Sequence, residues 1–366
     1  MDYKELLKHP IFFEPNRVWR CYTGGQLIDI FMGAADPADN HFPEDWLGST
    51  TVALNGPNQQ HVDEGLSRIK NFDSTGGPLF RDVLKQCPRE ALGRHDYSDD
   101  EGLGGLCKFL DAEIRLPIQC HPDIPFAQKY YNSDHGKTES WFILGTREIN
   151  NQNPYILMGF KEDVDPEMFK EAVRQENIIE MERSLHRVEV SPGQKYMIPG
   201  RLPHAIGPGV FLLEVQEPTD WVVQPERFIG DTELSHSDMW GPLEPETGLD
   251  CFDYDSRDTK ENILEKVSLT PFDIEKINGG LIEKIIGPKT TLCFSVDHLI
   301  VDDTVNLNFG AKWCLVIVIG GNCILRSKAG DVQAKQGDCF FISSYLSQLQ
   351  IEAIGGSAGL YMITKE

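Results

Sequence analysis

Short apolar runs, bounded by turn-forming residues, recur along much of the chain. Such runs predict β-strands, in which alternate side chains share one face of a sheet. The run 114–121 has few helix signals and ends at Pro122, a residue that suits the end of a strand. Further strands are predicted at 141–144, at 188–198 as a pair around a Pro-Gly turn, at 210–215, and from 282 onward.

Helical signals concentrate in the middle of the chain. Asp165 and Pro166 mark a predicted helix start, with the aspartate as N-cap and the proline in the first turn. Helical spacing continues to about residue 185 with a break near Asn177, which predicts a helical insert beside a pocket. The polar and acidic stretch 252–260 predicts a domain junction, followed by a short helix at about 258–266.

Length and charge restrict the classes of protein to consider. A chain of 366 residues predicts two domains, and a hydrophobic fraction of 40% is enough for sizeable cores. The 34 Lys and Arg residues are outnumbered by 57 Asp and Glu residues, which gives a formal net charge of −23. This balance argues against a nucleic-acid partner and against an anionic membrane surface. A phosphate site in such a protein must be a local basic pocket.

The cysteines and the first residues bear on location. Nine cysteines without a CxxC pair indicate buried thiols in a reducing compartment rather than a disulfide framework. The first residues lack the apolar core of a signal peptide, and no apolar run reaches membrane-spanning length. A cytoplasmic location is therefore expected.

Four side chains are candidates for a metal site. Gln119 and His121 are two residues apart on one predicted strand, so they share a face. Glu139 lies just before a second strand, and His204 lies between a turn and a third strand. One amide oxygen, two imidazoles and one carboxylate converging from three strands suit zinc or another divalent ion, with room for a water or a substrate oxygen.

The motifs around these residues are distinctive. They are IQCHP at 118–122, GKTE at 136–139 and PHAIG at 203–207. This series resembles the Q-x-H-P, K-x-E and H-A-I-G motifs of the type I mannose-6-phosphate isomerases, in the same order. The resemblance implies a cupin fold, one zinc ion per chain held by the four candidate ligands, and interconversion of mannose 6-phosphate and fructose 6-phosphate.

The C-terminal part of the chain resembles a second cupin barrel. An apolar run at 315–321 is followed by QGDCFFI at 336–342, and the region contains His298 but no second motif series. The fold predicted is mainly β, with two cupin-type (jelly-roll) β-barrels and a helical insert at about 165–185. Residues 1–250 are expected to form the metal-binding catalytic domain, and residues 251–366 a metal-free cupin-like domain.

Aldose–ketose isomerisation moves a proton between neighbouring carbons, so it requires an acid or base near the metal. Lys137 shares the face of Glu139 if that segment is extended, and is the first candidate for proton transfer; the alternative is a structural ion pair. Glu214 is a charge inside an apolar strand, and is a second candidate base or a hydrogen-bond partner of a metal-bound histidine. Lys108 lies in a segment similar to the family's K-x-L-D-A and is expected to contact a substrate hydroxyl or phosphate.

One departure from the family concerns the substrate. The family's S-D-x-x-Y-R segment carries a functional arginine, where this chain has Gln224. Arg227 and Arg201 are the nearby candidates for the missing charge, which makes Arg227 a catalytic candidate and Arg201 and Gln224 substrate-binding candidates. Without such a replacement, the enzyme is expected to act slowly on mannose 6-phosphate or to prefer another sugar.

Several alternatives remain open at this point. An isomerase or epimerase for a different or unphosphorylated sugar fits the same residues. A cupin that only binds a sugar would not need Lys137 and Glu214 beside a complete ligand set. A metal-dependent dioxygenase would more usually carry an H-x-H spacing, where this chain has Gln119. Neither the oligomeric state nor the resting metal follows from the sequence.

Overall fold

Antiparallel strands build most of the molecule, so the mainly β prediction is confirmed. The structure is a computed structural model that describes residues 2–70 and 76–365. The strands are, in chain order, β1 Ile11–Phe12, β2 Arg17–Val18, β3 Glu44–Leu47, β4 Leu106–Asp111, β5 Glu139–Thr146, β6 Tyr155–Phe160, β7 Leu185–Glu189, β8 Lys195–Ile198, β9 His204–Ile206, β10 Val210–Gln216, β11 Phe228–Ile229, β12 Thr232–Glu233, β13 Asp273–Ile277, β14 Gly280–Ile286, β15 Ser295–Val301, β16 Thr304–Asn308, β17 Cys314–Ser327, β18 Gly330–Lys335, β19 Cys339–Ile342 and β20 Gln348–Thr364.

The helices are short, and most of them cover the N-terminal half. They are α1 Tyr3–Leu6, α2 Gln26–Met32, α3 Phe80–Gln86, α4 Pro88–Leu92, α5 Ile124–Tyr130, α6 Pro166–Arg174, α7 Ile178–Arg183, α8 His236–Trp240, α9 Pro245–Leu249 and α10 Lys260–Val267, with a 3-10 turn at Gly56–Asn58. Within the part of the chain that the structure describes, none of these helices combines the length and the apolar character needed to cross a bilayer.

The N-terminal barrel consists of two facing sheets. A six-stranded sheet has the order β2-β3-β4-β10-β5-β8, and a three-stranded sheet has the order β7-β6-β9. Trp141 and Leu212 of the larger sheet share one apolar core with Ile156 and Ile206 of the smaller sheet. The barrel interior therefore lies between the two sheets.

The C-terminal barrel is a single nine-stranded sheet that folds on itself. Its backbone path is β1-β19-β17-β20-β15-β14-β13, with β16 on β20 and β18 on β17. The long strands β17 and β20 pair along most of their length, with register shifts around Gly320. Such irregularities bend a strand, so that β17 and β20 serve both walls of the barrel.

The inner strands of the six-stranded sheet are buried on both faces. Every residue of β4 and β10 is buried. Phe109 and Leu213 pack towards the C-terminal sheet, whereas Leu110 and Leu212 fill the N-terminal barrel. Strands buried on both faces form nearly continuous apolar runs, and any charged side chain within them requires a partner.

The helical insert begins and breaks at the predicted residues. The Asp165 side chain accepts a hydrogen bond from Glu167 N and caps α6. Asn177 accepts one from Glu180 N at 3.2 Å and caps α7, which explains the break between the two helices.

The predicted strand pair at 188–198 is wrong in its pairing. Strands β7 and β8 both form, but β7 pairs with β6 and β8 pairs with β5. The segment between β7 and β8 crosses from one sheet of the barrel to the other. Alternation in sequence indicates that each strand is half-buried, and the partner strand depends on the tertiary fold.

The boundary expected near residue 250 stays a prediction, and two contacts cross it. Strand β1 pairs with β19, so residues 11–12 belong to the C-terminal sheet. On the other side, Ile263 and Val267 of α10 lie in the core of the N-terminal barrel. The strands of the C-terminal barrel follow from Asp273 onward.

Candidate active site

A cavity in the N-terminal barrel gathers most of the predicted site residues. The predicted residues that line it are Lys108, Gln119, Lys137, Glu139, Glu214 and Gln224. Lys108 and Glu214 are directly opposite each other on β4 and β10, and Glu214 is opposite Trp141 of β5. Because Leu110 and Leu212, two residues away on these strands, fill the barrel, Lys108 and Glu214 also point inwards.

The metal-site candidates come together from separate segments. Gln119 and His204 exchange backbone hydrogen bonds of 2.8 and 2.9 Å in an antiparallel bridge. Glu139 is the first residue of β5, and His204 is the first residue of β9. The ligand atoms of His121, Glu139 and His204 lie within 4.8 Å of one another, and all three residues are buried.

Both histidines present the same ring nitrogen to this cluster. Nδ1 of His121 lies 2.9 Å from Trp221 O, and Nδ1 of His204 lies 2.8 Å from Leu202 O. A carbonyl oxygen only accepts, so each Nδ1 carries the proton and each Nε2 presents its lone pair. Nε2 of His204 is buried without a hydrogen-bond partner. This unpaired acceptor and the two-imidazole, one-carboxylate set fit a divalent metal such as zinc.

The Lys137 ammonium is next to the same atoms. Its Nζ lies 2.6 Å from Glu139 Oε1 and 3.1 Å from His121 Nε2, and Glu139 Oε1 lies 3.0 Å from His121 Nε2. Trp141 Nε1 donates to the other oxygen of Glu139 at 3.2 Å. The cluster therefore already attracts one positive charge, and Lys137 is positioned at its edge.

The protonation states suit metal binding. Burial, followed by the neighbouring His121 ring, lowers the pKa of His204 to about 3, and burial together with Lys137 lowers the pKa of His121. Burial opposes ionisation of Glu139, yet the Lys137 ammonium and the imidazoles hold its pKa well below the usual range. Neutral imidazoles and an ionised carboxylate are the forms that bind a cation.

The pKa of Glu214 is shifted in the opposite direction to that of Glu139. Burial, and then the charge of Glu139, raise the pKa of Glu214 to about 8, while Lys108 opposes the shift. Lys108 Nζ lies 3.3 Å from Glu214 Oε1 and 3.7 Å from Glu44 Oε2. The cavity thus holds a protonated carboxyl next to an ionised one, and a lysine between two carboxyl groups.

The structure does not bring Arg227 or Arg201 to the cavity, which corrects both predictions. The Arg227 guanidinium is half exposed and pairs with Glu233 at 2.9 Å and Glu176 at 3.2 Å. Arg201 has a φ of 71°, and its guanidinium donates to the carbonyl oxygens of residues 250 and 251, both at 3.2 Å. Its place next to a metal-site motif in sequence says nothing about its side-chain direction.

Gln224 lines the cavity as a neutral amide. Its Nε2 donates to Asp238 O at 2.8 Å, and its backbone N–H donates to Met239 O. Among the cavity-lining residues in the described part of the chain, Arg20 is the one arginine. Sequence analysis did not identify Arg20, because it lies about 100 residues before the metal motifs and in no motif of its own.

Other cavity residues were also missed. Glu44 is buried on β3 and accepts from Tyr22 OH at 2.5 Å and from Trp46 Nε1 at 2.7 Å. Trp221 and Tyr131 pack against each other at the cavity with ring centroids 4.7 Å apart and ring planes tilted by 34°. A charged residue beside a tryptophan in the segment PEDWLGS was the available signal for Glu44.

The raised pKa of Glu214 predicts a change in the pH dependence of stability. A carboxyl whose folded-state pKa is about 8, against 4.5 ordinarily, gives stability that is fully present below about pH 4.5 and is lost as the pH rises through 8. In metal-free protein, the free energy of unfolding of the wild type should therefore fall relative to that of Glu214→Gln as the pH rises. We expect this difference to grow by about 1.4 kcal/mol per pH unit between pH 5 and 8. Urea unfolding at several pH values in chelator measures this difference.

Glu44→Gln is the matched control for that measurement. Burial opposes ionisation of Glu44, but Arg20 and Lys108 lower its pKa to about 2. Its contribution is present above about pH 4.5 and is lost only at lower pH, so this variant should run parallel to the wild type between pH 5 and 8. Parallel behaviour of Glu214→Gln as well would mean that Glu214 is ionised in the folded protein.

Comparison with known proteins finds relatives that are named as mannose-6-phosphate isomerases. No protein-family model matches the chain. A Bacillus subtilis protein named as the probable mannose-6-phosphate isomerase GmuF is 28% identical over 214 residues, which cover 58% of this chain and 60% of that relative. Mannose-6-phosphate isomerase ManA of B. subtilis is 25% identical over 272 residues, 71% of this chain and 76% of the relative.

Solved structures extend the likeness over the whole fold. The crystal structure of mannose 6-phosphate isomerase from B. subtilis covers 97% of this chain and 99% of its own, with a TM-score of 0.71 and 22% identity. A mannose 6-phosphate isomerase solved with zinc and yttrium covers 98% and 99%, with a TM-score of 0.65 and 15% identity. The predicted two-barrel cupin fold is therefore confirmed. The chain is therefore similar, in sequence and in fold, to proteins that are named mannose-6-phosphate isomerases.

Proposed function

We propose that this chain is a zinc-dependent aldose–ketose isomerase that interconverts mannose 6-phosphate and fructose 6-phosphate through an enediol or enediolate. The observation that carries the proposal is the buried cluster of His121, Glu139 and His204 with Lys137 at its edge, inside a cavity. The same cavity holds the protonated carboxyl of Glu214. The sequence relatives carry the name of this activity.

One zinc ion per chain would be held by His121, Glu139 and His204, with Gln119 as the fourth ligand. Support comes from the unpaired His204 Nε2, from the histidine tautomers, and from the zinc named in one structural relative. When bound, a divalent ion with an open position polarises a carbonyl oxygen and stabilises developing negative charge. The remaining groups of the cavity then have to orient the sugar and to move protons.

Lys137 and Glu214 are our candidates for proton transfer. Lys137 is buried, and its Nζ lies 2.6 Å from Glu139 and 3.1 Å from His121, so it is placed to exchange a proton with a substrate held at these residues. In the metal-free protein, burial and the charge of Glu139 raise the pKa of Glu214 to about 8, so its carboxyl can donate a proton to a substrate oxygen.

Lys108 and Gln224 are our candidates for substrate contacts within the cavity. Lys108 is buried between Glu44 and Glu214, so it would orient a sugar hydroxyl. A second candidate function is isomerisation of an unphosphorylated sugar, favoured by the neutral Gln224 and by the distance of Arg201 and Arg227 from the cavity. A sugar-binding cupin without turnover is the third reading.

A substrate panel with purified, zinc-loaded protein separates these candidates. We expect turnover of mannose 6-phosphate and exchange of its C2 proton in deuterated water, with slower turnover of mannose. Faster turnover of free mannose would favour the second candidate. No exchange with any aldose or aldose phosphate would leave sugar binding without turnover.

We also infer a cytoplasmic location and two functional domains. All nine cysteines are free thiols, which suits a reducing compartment. The C-terminal barrel would be free of metal, because the metal cluster found among the described residues lies in the N-terminal barrel. Metal analysis of the His121→Ala variant tests this division, since residual stoichiometric metal would indicate a second site.

A further inference from the structure

One end of the cavity is built around Arg20. Its Nε lies 3.1 Å from Glu44 Oε2, its Nη1 donates to Asn55 Oδ1 at 2.8 Å, and its Nη2 contacts Asp220 at 3.2 and 3.3 Å. The guanidinium carbon lies 5.2 Å over the Trp46 ring. Glu44 contacts both Arg20 and Lys108, and Lys108 contacts Glu214, so a chain of ion pairs links Arg20 to the interior of the cavity.

Asn55 provides unused hydrogen-bond donors at this end. A guanidinium only donates, so the amide atom that faces Arg20 must be the oxygen and the nitrogen must point elsewhere. That nitrogen, Asn55 Nδ2, is buried without a hydrogen-bond partner, although Asn55 is only 5% exposed and lines the cavity. Buried polar atoms are nearly always paired, so this donor indicates an acceptor that arrives with a ligand.

The donors are held in place before any ligand binds. Arg20 N–H donates to His41 O, and His41 Nδ1 lies 2.9 Å from Arg20 O. Asn55 N–H donates to Gln59 Oε1 at 3.1 Å. Nη1 of Arg20 carries a second N–H besides the one on Asn55, next to the two N–H groups of Asn55 Nδ2. Donors fixed in this way lose little entropy on binding.

Net charge does not explain this end of the cavity. Arg20 and Lys108 carry two positive charges, which Glu44 and Asp220 balance. The local basic pocket expected from the sequence is therefore not found at this end, and recognition must rest on N–H donors rather than on an excess of positive charge. A tetrahedral group with several acceptor oxygens suits the unpaired Asn55 Nδ2 beside the Arg20 guanidinium.

We propose that Arg20 and Asn55 form the subsite for the phosphoryl group of the sugar phosphate, with Arg20 supplying the guanidinium that is absent at Gln224. The proposal rests on the isomerase function proposed above, and it identifies the residues that distinguish mannose 6-phosphate from mannose. Asp220 lies four residues before Gln224 and pairs with Arg20, so its guanidinium partner comes from the N-terminal segment and not from position 224.

Asn55→Asp is the sharpest test. The aspartate keeps an oxygen for Arg20 Nη1, removes the two N–H donors and adds one negative charge, so the fold and the metal content should be unchanged. We expect KM for mannose 6-phosphate to rise about 10- to 100-fold with kcat little changed, because a hydrogen bond to a charged group is lost in ground and transition state alike. KM for mannose should change less than threefold. Asn40→Asp adds the same charge at an exposed position outside the cavity, keeps the oxygen that accepts from Phe42 N–H, and controls for electrostatics alone.

Arg20→Lys is the second variant. It retains the positive charge and loses the planar set of N–H donors of the guanidinium. It should also weaken mannose 6-phosphate selectively. Equilibrium binding of mannose 6-phosphate, mannose and inorganic phosphate to zinc-loaded protein provides a readout without turnover. If the wild type proved inactive, the isomerase function would be refuted, and these binding measurements would still test the subsite. Equal losses for mannose and its phosphate, no loss in either variant, an equal effect of Asn40→Asp, or wild-type protein that does not prefer the phosphate would each overturn the subsite.

Discussion

His204→Ala is expected to abolish stoichiometric metal binding and, with it, isomerase turnover. His204 contributes a neutral imidazole whose Nε2 is buried, unpaired and 3.8 Å from Glu139 Oε2. Loss of a residue that merely orients a ligand costs 10- to 100-fold in metal affinity, so loss of a ligand should cost about 10³-fold or more. Metal analysis after gel filtration and kcat/KM for mannose 6-phosphate measure the two effects.

His298→Ala is the matched control, because His298 lies in the C-terminal barrel and pairs with Glu283 at 2.9 Å. It should keep both metal and turnover. Circular dichroism and thermal unfolding in chelator verify that His204→Ala is folded when metal-free. A folded His204→Ala protein that retains one zinc ion and wild-type turnover would remove His204 from the metal site.

Lys137→Met is expected to lower kcat by about 10²- to 10⁴-fold while the metal remains bound, since a positioned acid or base contributes a factor of this size. Methionine retains the length of the side chain and removes the amine that lies 2.6 Å from Glu139 and 3.1 Å from His121. Exchange of the C2 proton of mannose 6-phosphate in deuterated water reports the proton transfer itself. This exchange should fall in parallel with kcat.

Lys195→Met removes a lysine on β8 whose ammonium donates to Gly193 O, outside the cavity, and should leave kcat unchanged. Glu214→Gln completes the comparison, because it removes the other candidate proton donor without a change of shape. Normal exchange in Lys137→Met together with lost exchange in Glu214→Gln would transfer the role of base to Glu214. Normal exchange in both variants would exclude both residues from proton transfer.

The identity of the metal candidates could be predicted from sequence because it depends on local order. Glu139 and His204 each begin a strand, as the motif order suggested. The strand predicted at 114–121 is wrong, because this segment forms only isolated bridges at Gln119 and Cys120, and the motif alone identified Gln119 and His121. The cap residues Asp165 and Asn177 likewise act on the next turn of their own helices. Such contacts span a few residues, so they are encoded where they occur.

Other features depend on which distant segments meet. The strand pair expected at 188–198 formed as two strands in different sheets, because alternation does not specify a partner. Arg201 and Arg227 are near the motifs in sequence, yet one guanidinium binds the carbonyl oxygens of residues 250 and 251 and the other pairs with exposed glutamates. Side-chain direction is determined by the available partners, which lie far away along the chain.

The sequence by itself determined the mainly β class, the motif series of the metal donors and the neutral amide at Gln224. The tertiary structure alone decided that Arg20 and Asn55 line the same cavity as the metal candidates Gln119 and Glu139, since Arg20 contacts Asp220 across a separation of 200 residues. Burial also decided the chemistry of Glu214, whose pKa is raised to about 8 because β10 is covered on both faces and Glu139 is adjacent. A pattern of residue types records which groups a chain possesses, whereas their protonation and their partners follow from desolvation and from contacts between distant segments.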